Sequence, residues 1–206
     1  MENHRHIIIN IGRQIGAGGH DIGQLLAREF GAKYYDRELL ALAAKESGIS
    51  ERHFERHDEN RRFPLSILHL PFGSHSDYHH GMSGDQFFQF QSDAILRAAS
   101  EGSCVFVGRC ADYVLRELTD TVNVFVTAPL EFRVARVMER EALGHDAALK
   151  QIQQRESGRA SYYNYYTGKR WGAAESYDLC VDSSLLGIER TASLIAVFVR
   201  QKLGMD

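Results

Sequence analysis

The sequence is poor in cysteine, in proline and in long apolar runs, and each scarcity excludes a class of protein. Three cysteines at irregular spacing, without a signal-like N-terminus, argue against a disulfide-stapled secreted domain and predict a reducing cytoplasm. The short apolar run near the N-terminus is far below the length of a membrane span. With 206 residues, 44% of them hydrophobic and 25% charged, the chain is long enough for one globular domain with its own core.

The chain has no excess of positive charge. The chain has 24 basic and 27 acidic residues, a net charge of −3, which argues against broad electrostatic binding to nucleic acid or to an anionic membrane. Lysine is the rarer basic residue, because Lys33, Lys45, Lys150, Lys169 and Lys202 leave 19 arginines. The planar guanidinium suits two-point binding of phosphate or carboxylate. Local anion sites, or codon bias with solvated helix faces, both explain this surplus at this stage.

What the sequence does contain is a regular alternation of apolar runs with helical patterns. Five apolar runs predict strands at His6–Ile11, Lys33–Tyr35, Cys104–Val107, Val122–Thr127 and Leu179–Val181. Helical spacing separates the runs, and an amphipathic helix is predicted from about Ile188 to Leu203. This alternation predicts an α/β fold of three layers, with a five-stranded parallel sheet covered on both faces. Cys104 and Cys180 fall within strands and are predicted to lie in the core.

A glycine-rich loop follows the first predicted strand. Its five glycines are Gly12, Gly16, Gly18, Gly19 and Gly23. A plain turn needs only one or two, whereas a loop that converges backbone N–H groups on a phosphate uses more. The loop departs from the G-x-x-x-x-G-K-[ST] motif, because Gly19 has the place of the lysine and His20 that of Ser or Thr. Arg13 stands in the place of the motif's first glycine.

A dinucleotide-binding loop is the main alternative for this segment. Gly16 and Gly18 begin the G-x-G-x-x-G fingerprint, and Asp36 lies at the distance where an acidic residue binds a ribose. The third glycine would have to be residue 21. Asp21 stands there instead, and a carboxylate beside a pyrophosphate is unfavourable. Phosphate binding of another kind is therefore favoured.

Four more arginines stand where a phosphate site would need them. Arg109 follows the third predicted strand, at the sheet edge where parallel folds bind ligands. Arg133 lies near the start of the helix after the fourth strand, which favours it as a ligand-binding residue. Arg155 and Arg159 are one helical turn apart, so that both can approach a transferring phosphoryl group. The tyrosines nearby are predicted to pack the lid or a dimer surface: Tyr162, Tyr163, Tyr165 and Tyr166.

Residues 51–91 have a different composition, rich in histidine and bearing glycine and serine. We predict that this segment is an insertion, helical at both ends and loop-like in the middle. The spacing of His75, His79 and His80 matches no standard zinc motif. The sequence therefore predicts a solvated loop there and no metal site formed by protein side chains.

Taken in order along the chain, these elements resemble the cytidylate kinase-like family, a branch of the P-loop nucleoside monophosphate kinases. The resemblance rests on the segments Ile11 to Gly23, Tyr35-Asp36-Arg37, Gly108-Arg109, the helix after Thr127-Ala128-Pro129, and Tyr162 to Ser184. It implies a single P-loop NTPase domain over residues 1–206. Within that domain, residues 51–91 would be the monophosphate-binding insertion and residues from about 145 to 172 an arginine-bearing lid.

The resemblance also implies roles for individual residues. The ATP phosphates would be bound by Gly12, Gly16, Ala17, Gly18, Gly19, His20 and Asp21. The acceptor would be bound by Asp36, Arg37, Arg109, Arg133 and Asp182. The catalytic residues implied by the resemblance would be Arg155 and Arg159 of the lid. From its place at the mouth of the loop, we predict that Arg13 is also catalytic and substitutes for the missing lysine. Typical cytidylate kinases have an aspartate at the position of Cys110, and a lid aspartate at that of Glu156.

The implied activity is Mg²⁺-dependent transfer of the γ-phosphoryl group of ATP to a nucleoside monophosphate, CMP or dCMP first. Positioning and positive charge would do most of the catalysis. Because the motif's lysine is absent, a nucleotide-binding sensor without turnover is the alternative, and a kinase for another small acceptor is a third reading. The expected partners are nucleotides, not nucleic acid or a membrane, and a homo-oligomer is left open.

Overall fold

The computed structural model describes residues 6–36, 39, 41–42 and 84–205. A sheet of five parallel strands forms the centre of this part of the chain. The strands are β1 (Ile8–Arg13), β2 (Lys33–Tyr35), β3 (Cys104–Val107), β4 (Thr121–Thr127) and β5 (Leu179–Asp182). They lie in the order β2-β3-β1-β4-β5. The predicted α/β fold with a five-stranded parallel sheet is thereby confirmed.

Strand β1 lies in the middle of the sheet and is covered on both sides. It pairs with β3 and with β4, so that Ile8 stands opposite both Cys104 and Thr121. Ile9 and Ile11 pack into one layer of the core, whereas Ile8 packs into the other. A β-branched run that is apolar on both faces is typical of a central parallel strand.

Helices cover the two faces of the sheet. They are α1 (Gly19–Glu29), α2 (Gly84–Glu101), α3 (Ala111–Val114), α4 (Leu130–Glu141), α5 (His145–Thr167) and α6 (Ser183–Leu203). On one face, Leu26 of α1 packs with Ile195 of α6. On the other face, Ile95 of α2 packs with Phe106 of β3. Helices α4 and α5 pack on each other through Val137 and Ile152, which join Ile15 of the glycine-rich loop.

Helix α6 begins earlier than the periodicity predicts. The Asp182 carboxylate accepts a hydrogen bond from Ser184 N (2.8 Å) and caps the helix, which starts at Ser183. Gly187, with φ of 74°, then interrupts the helical backbone just before the predicted start at Ile188. The apolar spacing therefore identified only the part of the helix that follows this break.

The prediction that Cys180 lies in the core is wrong, whereas Cys104 is buried as predicted. Strand β5 is an edge strand, and its side chains are buried less completely than those of the inner strands β3 and β4. Cys180 therefore lies on the surface although its neighbour Val181 is buried. None of the helices described is long and apolar enough to cross a bilayer.

Candidate active site

The strand order creates a crevice at the carboxyl ends of the central strands. After β1 the chain continues to β2, which lies beyond β3 at one edge of the sheet. After β4 it continues to β5, at the opposite edge. Where connections leave a parallel sheet in opposite directions, a ligand-binding crevice opens outside the strand ends. Residues 14–18, between β1 and α1, lie at this edge. The fold thus puts the glycine-rich loop where a parallel sheet favours ligand binding.

Neighbouring helices hold the glycine-rich loop in shape. Gly16 and Gly18 have φ values of 82° and 81°, in the left-handed region that favours glycine. A Cβ on Gly16 would lie 2.6 Å from the carbonyl oxygen of Arg133, and one on Gly18 would lie 2.1 Å from Ile188 Cδ1. Ser183 Oγ donates a hydrogen bond to the carbonyl of Ala17 (2.7 Å). The loop conformation is therefore fixed by α4 and α6 as well as by its glycines.

Helix α1 begins directly after this loop, at Gly19. No side chain among the described residues caps it, so the backbone N–H groups of its first turn are available to an anion. His20 and Asp21 lie in that turn. The Asp21 carboxylate forms an ion pair with Arg136, whose NH2 lies 2.9 Å from Oδ2. Because this pairing offsets the negative charge, Asp21 opposes a bound phosphate less than its sequence position suggests.

Arg13 occupies the space where the side chain of residue 19 would extend. A Cβ on Gly19 would lie 2.5 Å from Arg13 Cβ and 2.9 Å from Arg13 Cγ. Arg13 is buried, and its guanidinium lies 3.9 Å from Asp36 Oδ1. A lysine at residue 19 and an arginine at residue 13 are therefore mutually exclusive in this backbone. Among the described residues, the side chain that fills this space is that of Arg13, from the end of β1.

Asp36, at the end of β2, links the cations around the loop. Arg109 Nε donates to its carbonyl oxygen (2.8 Å), and the Arg109 guanidinium lies 3.9 Å from its Oδ1. His20 Nδ1 lies 3.1 Å from Asp36 Oδ2 and 2.8 Å from the hydroxyl of Tyr34. The structure thus brings Arg13, His20 and Arg109 together around one carboxylate.

Arg133 contacts the glycine-rich loop and helps to hold its backbone. Its Nε donates to the carbonyl of Ala128 (2.9 Å), and its NH1 donates to Glu156 Oε1 (2.7 Å). The same Glu156 oxygen accepts a hydrogen bond from Ile15 N in the loop (3.0 Å). Arg133 was expected to bind the acceptor, and the structure places it in a buried network that joins α4, α5 and the loop backbone.

The two arginines of α5 have different surroundings. Arg159 is 8% exposed, lines the cleft, and donates from NH1 to the carbonyl of Arg13 (3.1 Å). The side chain of Arg155 is 39% exposed, and its NH1 lies 3.2 Å from Glu141 Oε1. The structure places the two side chains apart, because Arg159 lines the cleft whereas Arg155 contacts a carboxylate of α4.

The cleft between β1, β3 and α5 is positively charged. Its lining residues are Asn10, Ile11, Gly12, Arg13, Gly108, Arg109, Cys110, Asp112, Arg159, Tyr163, Trp171 and Tyr177. They include three arginines but a single carboxylate, that of Asp112. All three arginines are buried, where a charge interacts more strongly than it does in water. This composition suits an anionic ligand.

The backbone after β3 is strained at the cleft. Gly108, Arg109 and Cys110 have consecutive positive φ values of 79°, 61° and 56°. Non-glycine residues adopt this region at a cost and often do so at functional sites. The carbonyl of Arg109 accepts a hydrogen bond from the buried side chain of Gln91 on α2 (3.1 Å). This contact helps to hold the turn that directs Arg109 toward Asp36.

Sequence reasoning assigned no role to Asp112, although it lies in the cleft. It follows the Gly108-Arg109 turn on α3, and its Oδ2 accepts a hydrogen bond from the hydroxyl of Tyr163 (2.7 Å). Burial raises the pKa of the Asp112 carboxyl, and the Tyr163 hydrogen bond and the charge of Lys169 partly offset the rise. The sequence signal that could have identified Asp112 is its place three residues after Arg109, just beyond the end of β3.

The other expected site residues have structural surroundings of their own. Gly12 lies in β1, where a Cβ would be 2.7 Å from the Phe125 ring and 3.1 Å from that of Tyr177. Asp182 caps α6 and also accepts a hydrogen bond from the Ser184 hydroxyl (2.7 Å). Arg37, residues 51–83 of the expected insertion and its His75–His80 segment lie outside the described residues. Within the part that the structure describes, no three His, Cys, Asp or Glu side chains are grouped to hold a metal ion.

The strand order and the glycine-rich loop between β1 and α1 define a P-loop kinase fold. Residues 8–185 match the model of the cytidylate kinase-like family, and the chain belongs to that family. A cytidylate kinase of Methanopyrus kandleri is 26% identical over 200 residues, which cover 92% of this chain and 91% of the relative.

Solved structures share the fold over almost the whole chain. A crystal structure of an uncharacterized protein from Eubacterium ventriosum is 25% identical and superposes with a TM-score of 0.72, covering 94% of this chain and 98% of the other. Shikimate kinase from Bacteroides thetaiotaomicron has a TM-score of 0.56 at 13% identity, with 95% and 99% coverage. The shikimate kinase likeness concerns the fold alone.

Proposed function

We propose that the protein is a nucleoside monophosphate kinase that transfers the γ-phosphoryl group of ATP to CMP or dCMP. The observation that carries the proposal is the meeting of three buried arginines, Arg13, Arg109 and Arg159, in a cleft beside the glycine-rich loop. Phosphoryl transfer needs chiefly positioning and positive charge around the transferring group. Family membership and the similarity to cytidylate kinases support this choice of reaction and acceptor.

The loop and the first turn of α1 would bind the donor phosphates. The residues concerned are Gly16, Ala17, Gly18, Gly19, His20 and Asp21, with Gly12 at the floor of the cleft. Backbone N–H groups at an uncapped helix start bind phosphate oxygens without a lysine. Arg13 would supply the positive charge that lysine gives in the usual motif, because its side chain fills the space beside Gly19.

Arg109 would bind the acceptor phosphate, with Asp36 fixing its orientation through the hydrogen bond to Nε. Arg37 and residues 51–91 would complete the acceptor side, and Asp182 would contribute through the start of α6. Residues from about 145 to 172 would form the lid. Arg159 is the lid residue best placed for catalysis, because it already reaches the carbonyl of Arg13. Arg155 would join it only if the lid moved Arg155 away from Glu141.

Mg²⁺ fits this site as part of the ATP complex. Asp36 supplies a carboxylate beside His20, the residue in the place of the motif's Ser or Thr, and hard oxygen ligands are those that Mg²⁺ prefers. The remaining ligands would be phosphate oxygens and water. When bound, the ion would neutralise charge on the phosphates. The reactants are nucleotides, and the cytoplasm is the compartment we propose.

A direct assay tests the proposal. The protein is incubated with ATP, Mg²⁺ and each of CMP, dCMP, UMP, AMP and GMP in turn, and the products are separated by ion-exchange chromatography. We expect ADP and the matching diphosphate to form together, fastest with CMP or dCMP. If no acceptor gives a diphosphate, the proposed kinase activity is wrong.

The second candidate is a nucleotide sensor on the same fold. The observation that favours it is the lack of a lysine at residue 19, since loss of one transition-state donor costs about 3 kcal/mol or more. Calorimetry separates the two candidates. ATP binding without any product over several hours supports the sensor, and turnover excludes it.

A further inference from the structure

The groups that line the cleft are of two chemical kinds. The guanidinium groups of Arg13, Arg109 and Arg159 suit a phosphate. The carboxylate of Asp112 and the side-chain amide of Asn10 carry no positive charge. A fully ionised phosphate has no hydrogen to donate to a carboxylate. Asp112 therefore suits a different part of a ligand.

Asn10, which also lines the cleft, has an unsatisfied polar atom. Its residue is 3% exposed, and its Nδ2 donates to Asn123 Oδ1 (2.8 Å). Asn10 Oδ1 is buried and has no hydrogen-bond partner among the described residues. A buried polar atom without a partner costs free energy, so such atoms are usually satisfied by a ligand or water. If the side-chain amides of Asn10 and Asn123 are both flipped, Asn10 Nδ2 is the atom without a partner, and it donates a hydrogen bond instead of accepting one.

The carboxylate of Asp112 is held in one position. Tyr163 donates to its Oδ2, and the ring of Tyr163 stacks on that of Tyr177 with centroids 6.4 Å apart. Tyr177 in turn lies against the backbone of Gly12, where a Cβ would be 3.2 Å from its hydroxyl. Residues from β1, α3, α5 and the segment before β5 thus contact one another in the lining of the cleft. A carboxylate fixed in this way is pre-organised to accept a hydrogen bond.

We propose that Asp112, in a cleft that Asn10 also lines, is the specificity-determining subsite for the acceptor, and that it binds a neutral N–H or O–H donor of the monophosphate. The inference rests on the proposed function and names what that function leaves open. Two parts of a cytidine monophosphate carry such a donor, the exocyclic amine of the base and the hydroxyls of the sugar. A site built to accept a hydrogen bond strongly rejects an analogue that lacks the donor.

The test compares three acceptors in the wild type and in Asp112→Asn. UMP replaces the exocyclic amine by a carbonyl, and dCMP lacks the 2′-hydroxyl. We expect Asp112→Asn to lower one of two preferences by about 10- to 100-fold, through KM rather than kcat. Loss of the preference for CMP over UMP assigns the subsite to the amine, and loss of that for CMP over dCMP assigns it to the sugar. If neither ratio changes by more than twofold, the subsite is wrong.

Two further variants separate recognition from a structural role. The amide introduced by Asp112→Asn can still accept the hydrogen bond of Tyr163, and Tyr163→Phe removes that bond while it keeps the carboxylate. Recognition by Asp112 predicts that Asp112→Asn changes the acceptor ratio and Tyr163→Phe does not. Equal changes in both variants would overturn the inference. Asp146→Asn, on a fully exposed side chain at the start of α5, is the matched control and should leave both ratios unchanged.

Calorimetric binding of the three monophosphates to the same variants distinguishes this inference from the proposed function. Asp112-dependent discrimination in binding without any diphosphate product supports the subsite and overturns the kinase. Turnover with ratios that do not depend on Asp112 supports the kinase and overturns the subsite. If the wild type neither binds nor phosphorylates any monophosphate, both are wrong.

Discussion

Arg13 and Gly19 share one space, since a Cβ on Gly19 would lie 2.5 Å from Arg13 Cβ. The two positions flank the glycine-rich loop, one at the end of β1 and the other at the start of α1. A lysine at residue 19 would therefore collide with the stem of Arg13. In this backbone, the arginine at residue 13 requires a glycine at residue 19. The stem of Arg13 thus occupies the space beside Gly19 from the other side of the loop.

The first prediction concerns this exchange. Arg13→Ala should lower kcat by about 100- to 1000-fold, the usual effect of removing one transition-state donor. Gly19→Lys alone should unfold at a lower temperature, because the Arg13 stem occupies its space. The double variant Arg13→Gly/Gly19→Lys, which also removes the Cβ of residue 13, should regain part of the turnover that Arg13→Ala loses. Coupled assays and thermal unfolding measure both effects. Arg116→Ala, at an exposed position, is the control. Full turnover in Arg13→Ala would contradict this role.

The second prediction concerns Asp36. In Asp36→Ala, the guanidinium groups of Arg13 and Arg109 lose a nearby carboxylate, so the free energy of unfolding should fall by about 1 to 3 kcal/mol. Inorganic phosphate should stabilise this variant more than the wild type, because a bound anion replaces the carboxylate. Urea unfolding with and without phosphate measures the difference. Asp146→Ala serves as the control, and an equal response of both variants to phosphate would count against a phosphate site here.

The third prediction concerns Glu156, which joins Ile15 of the loop to Arg133 of α4. Glu156→Ala leaves both donors without this acceptor, so we expect a loss of about 1 to 3 kcal/mol in stability. The KM for ATP should rise about tenfold, which corresponds to about 1.4 kcal/mol, and that for the acceptor much less, because we propose that the loop binds the donor. Glu156→Gln should restore most of the ATP affinity. Steady-state kinetics decides the matter, with Glu139→Ala on the surface of α4 as the control. Equal increases in both KM values would contradict a donor-side effect.

The fourth prediction compares two arginines one helical turn apart. Arg159→Ala should lower kcat by about 100-fold or more, whereas Arg155→Ala should lower it by less than about tenfold. The reason is that Arg159 lies in the cleft and Arg155 contacts Glu141. Single-turnover kinetics with the two variants gives the comparison directly. If Arg155→Ala is as slow as Arg159→Ala, the lid must bring Arg155 into the cleft during the reaction.

The sheet could be predicted from the sequence because parallel strands leave a strong local signal. Runs such as Cys104–Val107 are apolar on both faces, and β3 spans those same residues. The signal weakens at the edge of the sheet, where one side of a strand has no cover. Cys180 shows the limit, because the apolar run around it predicted burial and the side chain is exposed.

The candidate site could be predicted only in part. The common location of Arg13, Arg109 and Arg159 could be predicted, because strand ends and helix turns leave local patterns in the sequence. The contacts of Arg155 with Glu141 and of Asp21 with Arg136 join distant segments, and no local pattern specifies them. Asp112 was missed for a related reason. Asp112 is held in the cleft by a hydrogen bond from Tyr163, which belongs to another helix, and no local pattern specifies that contact.

The support of the glycine-rich loop has a consequence for how the protein is made. Residues 14–18 are synthesised before the residues whose groups hold them, namely Arg133, Glu156, Ser183 and Ile188. A nascent chain whose synthesis has reached only the end of α1 therefore lacks the groups that hold its glycine-rich loop. Nucleotide binding should arise late in synthesis, once α6 has emerged from the ribosome and docked beside Ala17.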